Sequence, residues 1–395
     1  MRKAIIIGAG ITGPVTAMAL RQAGLDATIY EAYDRSADGV GAFLTVAVNG
    51  LAALRLIAVD ARDFGGFDTP VLAMQNSAGR PLGTFAIGRP DNGLVSQSIR
   101  RSDLYIGLRD EAVRRGIAIE YGKKLLDATT GADGRVVATF ADGTRAKGDL
   151  LIGGDGLNSR TRALLNPDGR PPRYTGLLNT GGFAHGIDVA TQPGVFTMTF
   201  GRRAFFAYVK RGPGDVWWFA NVPRAAEASP DELAELASRW RTELQRLFAD
   251  DHTPALQLIA HTDDILTPWN TCDLPTVARW HSASIVLLGD AAHAISPTSG
   301  QGASLAIEDG VVLAKCLRDQ PDTGTALAAF EALRRRRVEK LITRAKRTSD
   351  QKIPGRVSGL IRDRIVIPLV ARQAARSTSD WVHDYRINWE APVTT

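Results

Sequence analysis

The stretch Lys3–Ala32, KAIIIGAGITGPVTAMALRQAGLDATIYEA, constrains this chain more than any other. It opens on an apolar run, Ala4–Ile7, bounded by glycine, the pattern of a strand buried on both faces of a parallel sheet. Gly8, Gly10 and Gly13 follow in G-x-G-x-x-G spacing, with Ile11 and Thr12 between the last two. Apolar residues at helical spacing come next (Val15, Met18, Ala19, Leu20), then a stop at Gly24 and a second strand, Ala27–Tyr30, ending in Glu31. In such a unit Gly8 allows the tight turn, Gly10 lets the backbone approach a pyrophosphate, and Gly13 lets helix and strand pack closely. The helix N-terminus offers unpaired N–H groups and partial positive charge to phosphates. An acid roughly 20 residues on can accept from ribose hydroxyls, which is the place of Glu31. The motif says dinucleotide and leaves NAD and FAD open.

The rest of the composition narrows the classes. A chain of 395 residues is long enough for two domains, or one large domain with an insertion. The net charge of +6 is spread along the chain rather than gathered in a stripe, so no nucleic-acid partner is expected. Cys272 and Cys316 stand in no C-x-x-C spacing, and the six histidines form no ligand pair, so no metal site is expected. No cationic leader precedes the first strand, and no apolar run approaches the ~18 residues of a membrane helix. The expectation is a cytoplasmic protein with reduced thiols and no membrane span.

Further along, Phe43–Val59 ends as a short helix, and Val71–Met74 and Thr84–Ile87 read as strands leaving the first domain. Ser98–Gly116 reads as a helix capped by Ser102, with Leu104, Leu108, Ala112 and Val113 as its apolar stripe. Ile117–Tyr121, Val136–Phe140 and Thr144–Lys147 are short strands, and Asp149–Gly154 is another buried one. Val195–Gly201, Ala204–Arg211 and Val216–Pro223 form an antiparallel meander, followed by an amphipathic helix from Ser229 to Phe248. Ser284–Gly289 returns to the buried parallel pattern. A loop then leads to Gly300-Gln301-Gly302 and a helix from Ala303 to about Cys316. A second helix, Ala326–Thr348, carries Arg334 to Arg337 in a row, read as a solvated face.

Three stretches fall at C-terminal ends of the expected parallel strands, where α/β sheets bind ligands: Gly8-x-Gly10-x-x-Gly13, Asp155-Gly156 and Gly289-Asp290. The second reads Gly153-Gly154-Asp155-Gly156-Leu157-Asn158-Ser159. The third reads Gly289-Asp290-Ala291-Ala292-His293…Pro297-Thr298-Ser299-Gly300-Gln301-Gly302. With these motifs the chain resembles, over nearly its whole length, the single-component flavin-dependent aromatic hydroxylases, the group of para-hydroxybenzoate hydroxylase.

The resemblance implies an α/β fold: a Rossmann-like FAD-binding domain with a parallel sheet, plus an inserted α+β substrate domain with an antiparallel sheet and C-terminal helices. The FAD-binding domain is expected over residues 1–66, 96–173 and 280–350, the substrate domain over 67–95 and 174–279, and a helical segment over 351–395. The implied cofactor is FAD, with its pyrophosphate on Gly8, Gly10, Ile11, Thr12 and Gly13 and its ribose on Glu31. Arg101 is implied on the diphosphate side, Asp155 in a loop serving FAD and the nicotinamide donor, and Asp290 on the ribityl chain or phosphate side. Pro297, Gly300, Gln301, Gly302 and Ala303 are implied along the flavin ring, with Ser304 standing where the family often has Asn.

The implied reaction is monooxygenation. NADPH or NADH, bound transiently, reduces FAD, and O2 then gives a C4a-hydroperoxide that hydroxylates or epoxidises an electron-rich substrate. The alternative on the same flavin is an oxidase or dehydrogenase without oxygen transfer. A halogenase is disfavoured because Trp217-Trp218-Phe219-Ala220-Asn221-Val222-Pro223 lacks the Trp-x-Trp-x-Ile-Pro spacing of those enzymes. The expected substrate is an aromatic, polycyclic or polyketide-like small molecule. Its pocket would draw on alternate members of Phe196, Phe205, Phe206, Tyr208, Trp217 and Phe219. His185, Arg202 and Tyr208 are the candidates to polarise a substrate phenol, and His293 reads as a packed structural residue. The chain is expected to act as a monomer or homodimer.

Overall fold

The computed structural model describes residues 2–34, 41–89, 93–295, 300–349 and 381–393, with the backbone alone at 89 and over 344–349. Pro297 and residues 351–380, most of the expected C-terminal helical segment, lie outside the described residues. Residues 381–393 contain turns and irregular chain and no helix.

Five parallel strands form the central sheet, in the order Ala118–Glu120, Asp26–Tyr30, Lys3–Ile7, Leu150–Gly153, Ile285–Leu287. The apolar runs of the sequence are its middle. Ala4–Ile7 is buried throughout, with Ile5 opposite both Thr28 and Leu151. One face is covered by the helices Thr12–Gln22 and Gly302–Asp319, the second of which is buried at every residue from Ser304 to Leu317. The two helices can touch because Gly310 has no side chain; a Cβ there would stand 2.7 Å from Thr16 Oγ1. The other face carries an antiparallel meander, Leu125–Thr130, Val136–Phe140 and Arg145–Gly148, with Phe140 stacked on Tyr30 at 4.8 Å. Its first strand is absent from the sequence reading.

A second, seven-stranded sheet runs Trp269–Asp273, Arg173–His185, Asp215–Pro223, Phe205–Gly212, Val195–Phe200, Val71–Asn76, Pro81–Ala86. Its pairs are antiparallel except Val195–Phe200 with Val71–Asn76. The three central runs match the expected meander, and the 13-residue strand Arg173–His185 is an addition to it. Strand alternation sends the aromatics to two cores. Phe206, Tyr208 and Trp218 pack behind the sheet against the helix Pro230–Phe248, whose Ser229 and Glu232 form a capping box. Phe196, Phe205 and Trp217 pack in front, with Phe43, Phe67, Phe183 and Phe219 against them. A small sheet, Phe43–Val46, Gln97–Arg100, Phe67–Asp68, faces that front side.

The helix Arg101–Arg114 corrects two expectations. Its N-cap is Arg100, so Ser102 lies inside the first turn and bonds Asp103 instead. Val113 is exposed, because the stripe closes at Leu104, Leu108 and Ala112.

The arginine run is a larger correction. At about 100° per residue, Arg334 and Arg337 share one helix face and Arg335 and Arg336 do not. Arg334 is fully buried, and its guanidinium meets Glu308 at 2.6 Å and Asp309 at 2.7 Å. Arg337 takes both Glu308 oxygens at 2.9 Å and donates to the Trp381 and Val382 carbonyls. Asp309 also accepts from His293 Nε2 at 2.6 Å and from the Gly289 N–H at 2.9 Å. Burial pushes the Asp309 carboxyl up, but His293, Arg334 and the Gly289 N–H outweigh it and hold it at about 2.

Removing one partner of such a buried pair costs about 3–5 kcal/mol, because the other charge stays buried. Asp309→Asn should therefore lower stability by that order in denaturant unfolding. The sign with pH follows from the depressed carboxyl. Its contribution is complete above about pH 4 and is lost as pH falls towards about 2, so the variant should lack that part of the wild-type acid transition. Coincident acid transitions in the two proteins would contradict this.

Candidate active site

The turn after the first strand is built by steric exclusion. Gly8 has φ +99°, and a Cβ there would stand 2.6 Å from the Gly154 carbonyl. A Cβ on Gly13 would stand 2.0 Å from the Gly8 carbonyl. Gly10 differs, since a Cβ there would meet nothing within 4 Å. Two glycines thus close the turn on the protein, and the third leaves space in front of it. The peptide of Ala9 is gripped from both sides: its N–H donates to Glu31 Oε2 at 2.6 Å, and its carbonyl accepts from Arg109 Nε at 2.7 Å. Glu31 Oε1 takes the Tyr33 N–H at 3.1 Å. Glu31 therefore shapes the glycine turn as well as standing where a ribose acceptor is expected. Arg109, buried on the helix Arg101–Arg114, escaped the sequence reading; its signal would be a basic residue on the apolar side of that helix, one position past Leu108.

Asp155 is engaged within its own loop. It accepts from Ser159 Oγ at 2.5 Å, the Thr161 N–H at 2.9 Å and Thr161 Oγ1 at 3.0 Å. Arg162 then ties this loop to the next, donating to the carbonyls of Leu157 and Ala291. The Gly8, Asp155 and Asp290 segments are so brought side by side. Arg101 bonds Tyr105 through Nε at 2.5 Å. Tyr105, and after it Asp290, push the Arg101 pKa up against burial.

At the far end, Gln301 and Ser304 are buried and spent on packing. Asn49 Nδ2 bridges Gln301 Oε1 at 3.0 Å and Glu308 Oε1 at 2.7 Å. Ser304 Oγ accepts the Ala47 N–H at 3.0 Å, and a Cβ on Gly50 would stand 2.7 Å from that same oxygen. The Ser304 oxygen expected along the ring thus clamps the loop to the start of the helix Val48–Leu56. Asn49 is the second residue missed; a buried asparagine in an apolar helix was its signal. Gly300 has φ +62°, Gly302 lies near Asp290 Oδ1, and Ala303 is half-buried.

His293 is buried between Asp309 and the Trp280 ring, the packed role expected of it. The three polarising candidates are not brought together. Tyr208 faces the rear core and shares a hydrogen bond with Thr191. Arg202 is exposed on a hairpin tip, its N–H bonded to Asp251, and His185 is exposed at a strand end 3.8 Å from Asp215. None of the three shares a described contact with the Gly300–Ser304 loop.

The residues fit a bound FAD on their own geometry. The helices Thr12–Gln22 and Gly302–Asp319 both begin without a side-chain cap and without an acid in the first turn. Their leading N–H groups and positive dipole ends are thus available to anionic groups. Among the described residues no cluster suits a metal, and no helix is long and apolar enough to cross a membrane.

Comparison with known proteins gives the same assignment. Residues 1–345 match the model of the FAD binding domain family. The chain is 33% identical over 356 residues to FAD-dependent urate hydroxylase from Klebsiella pneumoniae, covering 88% of this chain and 90% of that one. It is 32% identical over 336 residues to aurachin C monooxygenase/isomerase from Stigmatella aurantiaca, covering 84% of each. The structure of Klebsiella pneumoniae HpxO complexed with FAD and uric acid superposes with a TM-score of 0.80 at 28% identity, covering 95% of this chain and 97% of that one. The chain therefore belongs to the FAD-dependent aromatic hydroxylase family and is an FAD-dependent monooxygenase.

Proposed function

We propose that this monooxygenase uses NADH or NADPH and O2 to hydroxylate or epoxidise an aromatic or polycyclic small molecule. The observation that carries the substrate class is the aromatic front face of the seven-stranded sheet. Trp217 meets Phe43 at 5.6 Å, Phe67 at 5.2 Å and Phe183 at 5.4 Å, and Phe219 lies 6.0 Å from Phe43. Phe43 begins the strand that leads to Ala47 and so to the Ser304 clamp. Phe43, Phe67, Phe183 and Phe219 are only partly buried at this face, and partly open aromatic rings suit a flat apolar ligand. The urate named for the relative is a substrate of this general kind.

Bound FAD would supply two-electron reduction by a nicotinamide and activation of O2. The chain's own part is positional. Gly8, Gly10, Ile11, Thr12 and Gly13 would receive the pyrophosphate at the helix N-terminus, with Glu31 at the ribose, and Arg101, Asp155 and Asp290 would border the chain between the two ends. Pro297 and Gly300–Ala303 would border the ring. There the N-terminus of Gly302–Asp319 would favour negative charge. We assign residues 1–66, 96–173 and 280–350 to the FAD-binding domain and 67–95 and 174–279 to the substrate domain; Phe67–Asp68 pairs across that line with Gln97–Ser98.

Two outcomes are expected. Purified FAD-loaded protein given NAD(P)H, 18O2 and a panel of hydroxylated aromatics should yield a product carrying one 18O atom by mass spectrometry. Hydrogen peroxide with an oxidised product lacking that label would instead support the oxidase reading. Gly10→Val should leave the flavin-free chain within about 0.5 kcal/mol of wild type, since the side chain enters open space. The same variant should purify colourless; stoichiometric flavin in it would show that the space is not the pyrophosphate's.

A further inference from the structure

We infer that His383 is a positioning residue for the Gly300–Ser304 loop: its unprotonated Nε2 accepts from the Gln301 amide and holds the loop from residues 381–393. The inference rests on the reading that this loop borders the flavin ring, and goes beyond it in adding a residue and its tautomer.

The direction of the hydrogen bonds is forced from the buried end. Glu308 is ion-paired to Arg334 and Arg337, so its carboxylate accepts. Asn49 must therefore turn its amide nitrogen to Glu308 Oε1, at 2.7 Å, and the second proton of that nitrogen goes to Gln301 Oε1, at 3.0 Å. With its oxygen held there, the buried Gln301 presents Nε2 to His383 Nε2, at 3.4 Å. An amide nitrogen only donates. The facing ring nitrogen is then the one without a proton, which places the ring proton on Nδ1. A doubly protonated imidazole would set donor against donor.

The backbone around His383 is anchored without help from this contact. On one side, Arg337 donates to the Trp381 and Val382 carbonyls at 3.0 and 2.9 Å, and Lys340 lies 4.0 Å from the Trp381 ring centroid. On the other, Arg386 donates to the His383 carbonyl at 2.6 Å, and Arg318 donates to the Trp389 carbonyl at 2.7 Å. Val382 and Trp389 are buried. Gln301 in turn is the N-cap of the helix Gly302–Asp319. An imidazole held by the two long C-terminal helices thus reaches the residue that opens one of them, and a directional bond there sets the orientation of the Gln301 side chain.

The first test reads the tautomer in wild type. FAD-loaded protein labelled with 15N-histidine is examined by long-range 1H–15N correlation at about pH 8, above the ordinary histidine range. Of the signals of six histidines, the set missing from His383→Gln should show the proton on Nδ1. A proton on Nε2 would overturn the inference. The second test reads the loop. His383→Leu should speed amide exchange over Gly300–Ser304 and raise the FAD dissociation constant, each about fivefold or more, the scale of one hydrogen bond. His383→Gln, whose terminal oxygen can stand where Nε2 stood, should stay within about twofold of wild type. His383→Lys, which only donates, should behave as the leucine variant. Equal exchange in the leucine and glutamine variants would overturn the inference. A leucine variant that does not fold leaves the tautomer, and the contrast between glutamine and lysine, to decide. Faster exchange with unchanged FAD affinity would count against the ring's place at this loop and leave the His383 contact standing.

Discussion

The structure depends on two adjacent carboxylates, Glu308 and Asp309, buried in the middle of an otherwise apolar helix. Each would be prohibitively costly alone. Together they draw Arg334 and Arg337 from the following helix, His293 and the Gly289 N–H from the loop after the last parallel strand, and Asn49 from an early helix. Arg337 carries the connection onward to the carbonyls at Trp381 and Val382. A pair of hydrophobic residues could fill that volume as stably. What they could not do is hold five chain segments in one register, because apolar contacts have no direction and these hydrogen bonds do.

That register is what positions the Gly300–Ser304 loop. Asn49 reaches from Glu308 to Gln301, so the buried charge cluster fixes the glycine loop through a single amide. Ser304 does the same one turn along, through the Ala47 N–H. The glycine turn after the first strand is held differently, by backbone fit: Gly8 against Gly154, Gly13 against Gly8, and the Ala9 peptide between Glu31 and Arg109. The parallel sheet joins the two ends, since its strand order brings Lys3–Ile7, Leu150–Gly153 and Ile285–Leu287 together from remote parts of the chain.

The legible parts of the fold were those whose chemistry is local. The strand–glycine–helix unit at Gly8–Gly13 reads directly, because sterics within one turn demand each glycine. The alternation in Phe205–Gly212 and Asp215–Pro223 was legible too, but it assigns parity and not direction. Phe206 and Tyr208 could be told apart from Phe205 and Trp217, while which set faced the small sheet depended on the helix Pro230–Phe248 covering the rear. The strand Arg173–His185 was hidden by Gly181 and Gly182, which look like a break. They are small because Ala42, Trp218 and Thr262 crowd them. The arginine run misled because four like charges in sequence suggest a wet face, whereas a helix turns two of them inward. The clue lay elsewhere, in the two acids set within AIEDGVVLA, where a solvated charge has no place.

Arg100 and Arg101 send their side chains to different parts of the molecule from adjacent positions. They are neighbours at a strand-to-helix junction, where alternation on one side and helical entry on the other send successive side chains apart. Arg101 turns to Tyr105 and the field of Asp290, on the side of the dinucleotide motifs. Arg100 turns to Phe183 and Trp217, on the side of the second sheet. Because Arg100 is also the helix N-cap, its backbone cannot shift without moving Arg101. The aromatic face and the glycine motifs are thereby referred to one peptide. Their separation is then set by main-chain geometry rather than by the rotamers of either side chain, and a reaction between two separately bound molecules requires that kind of control.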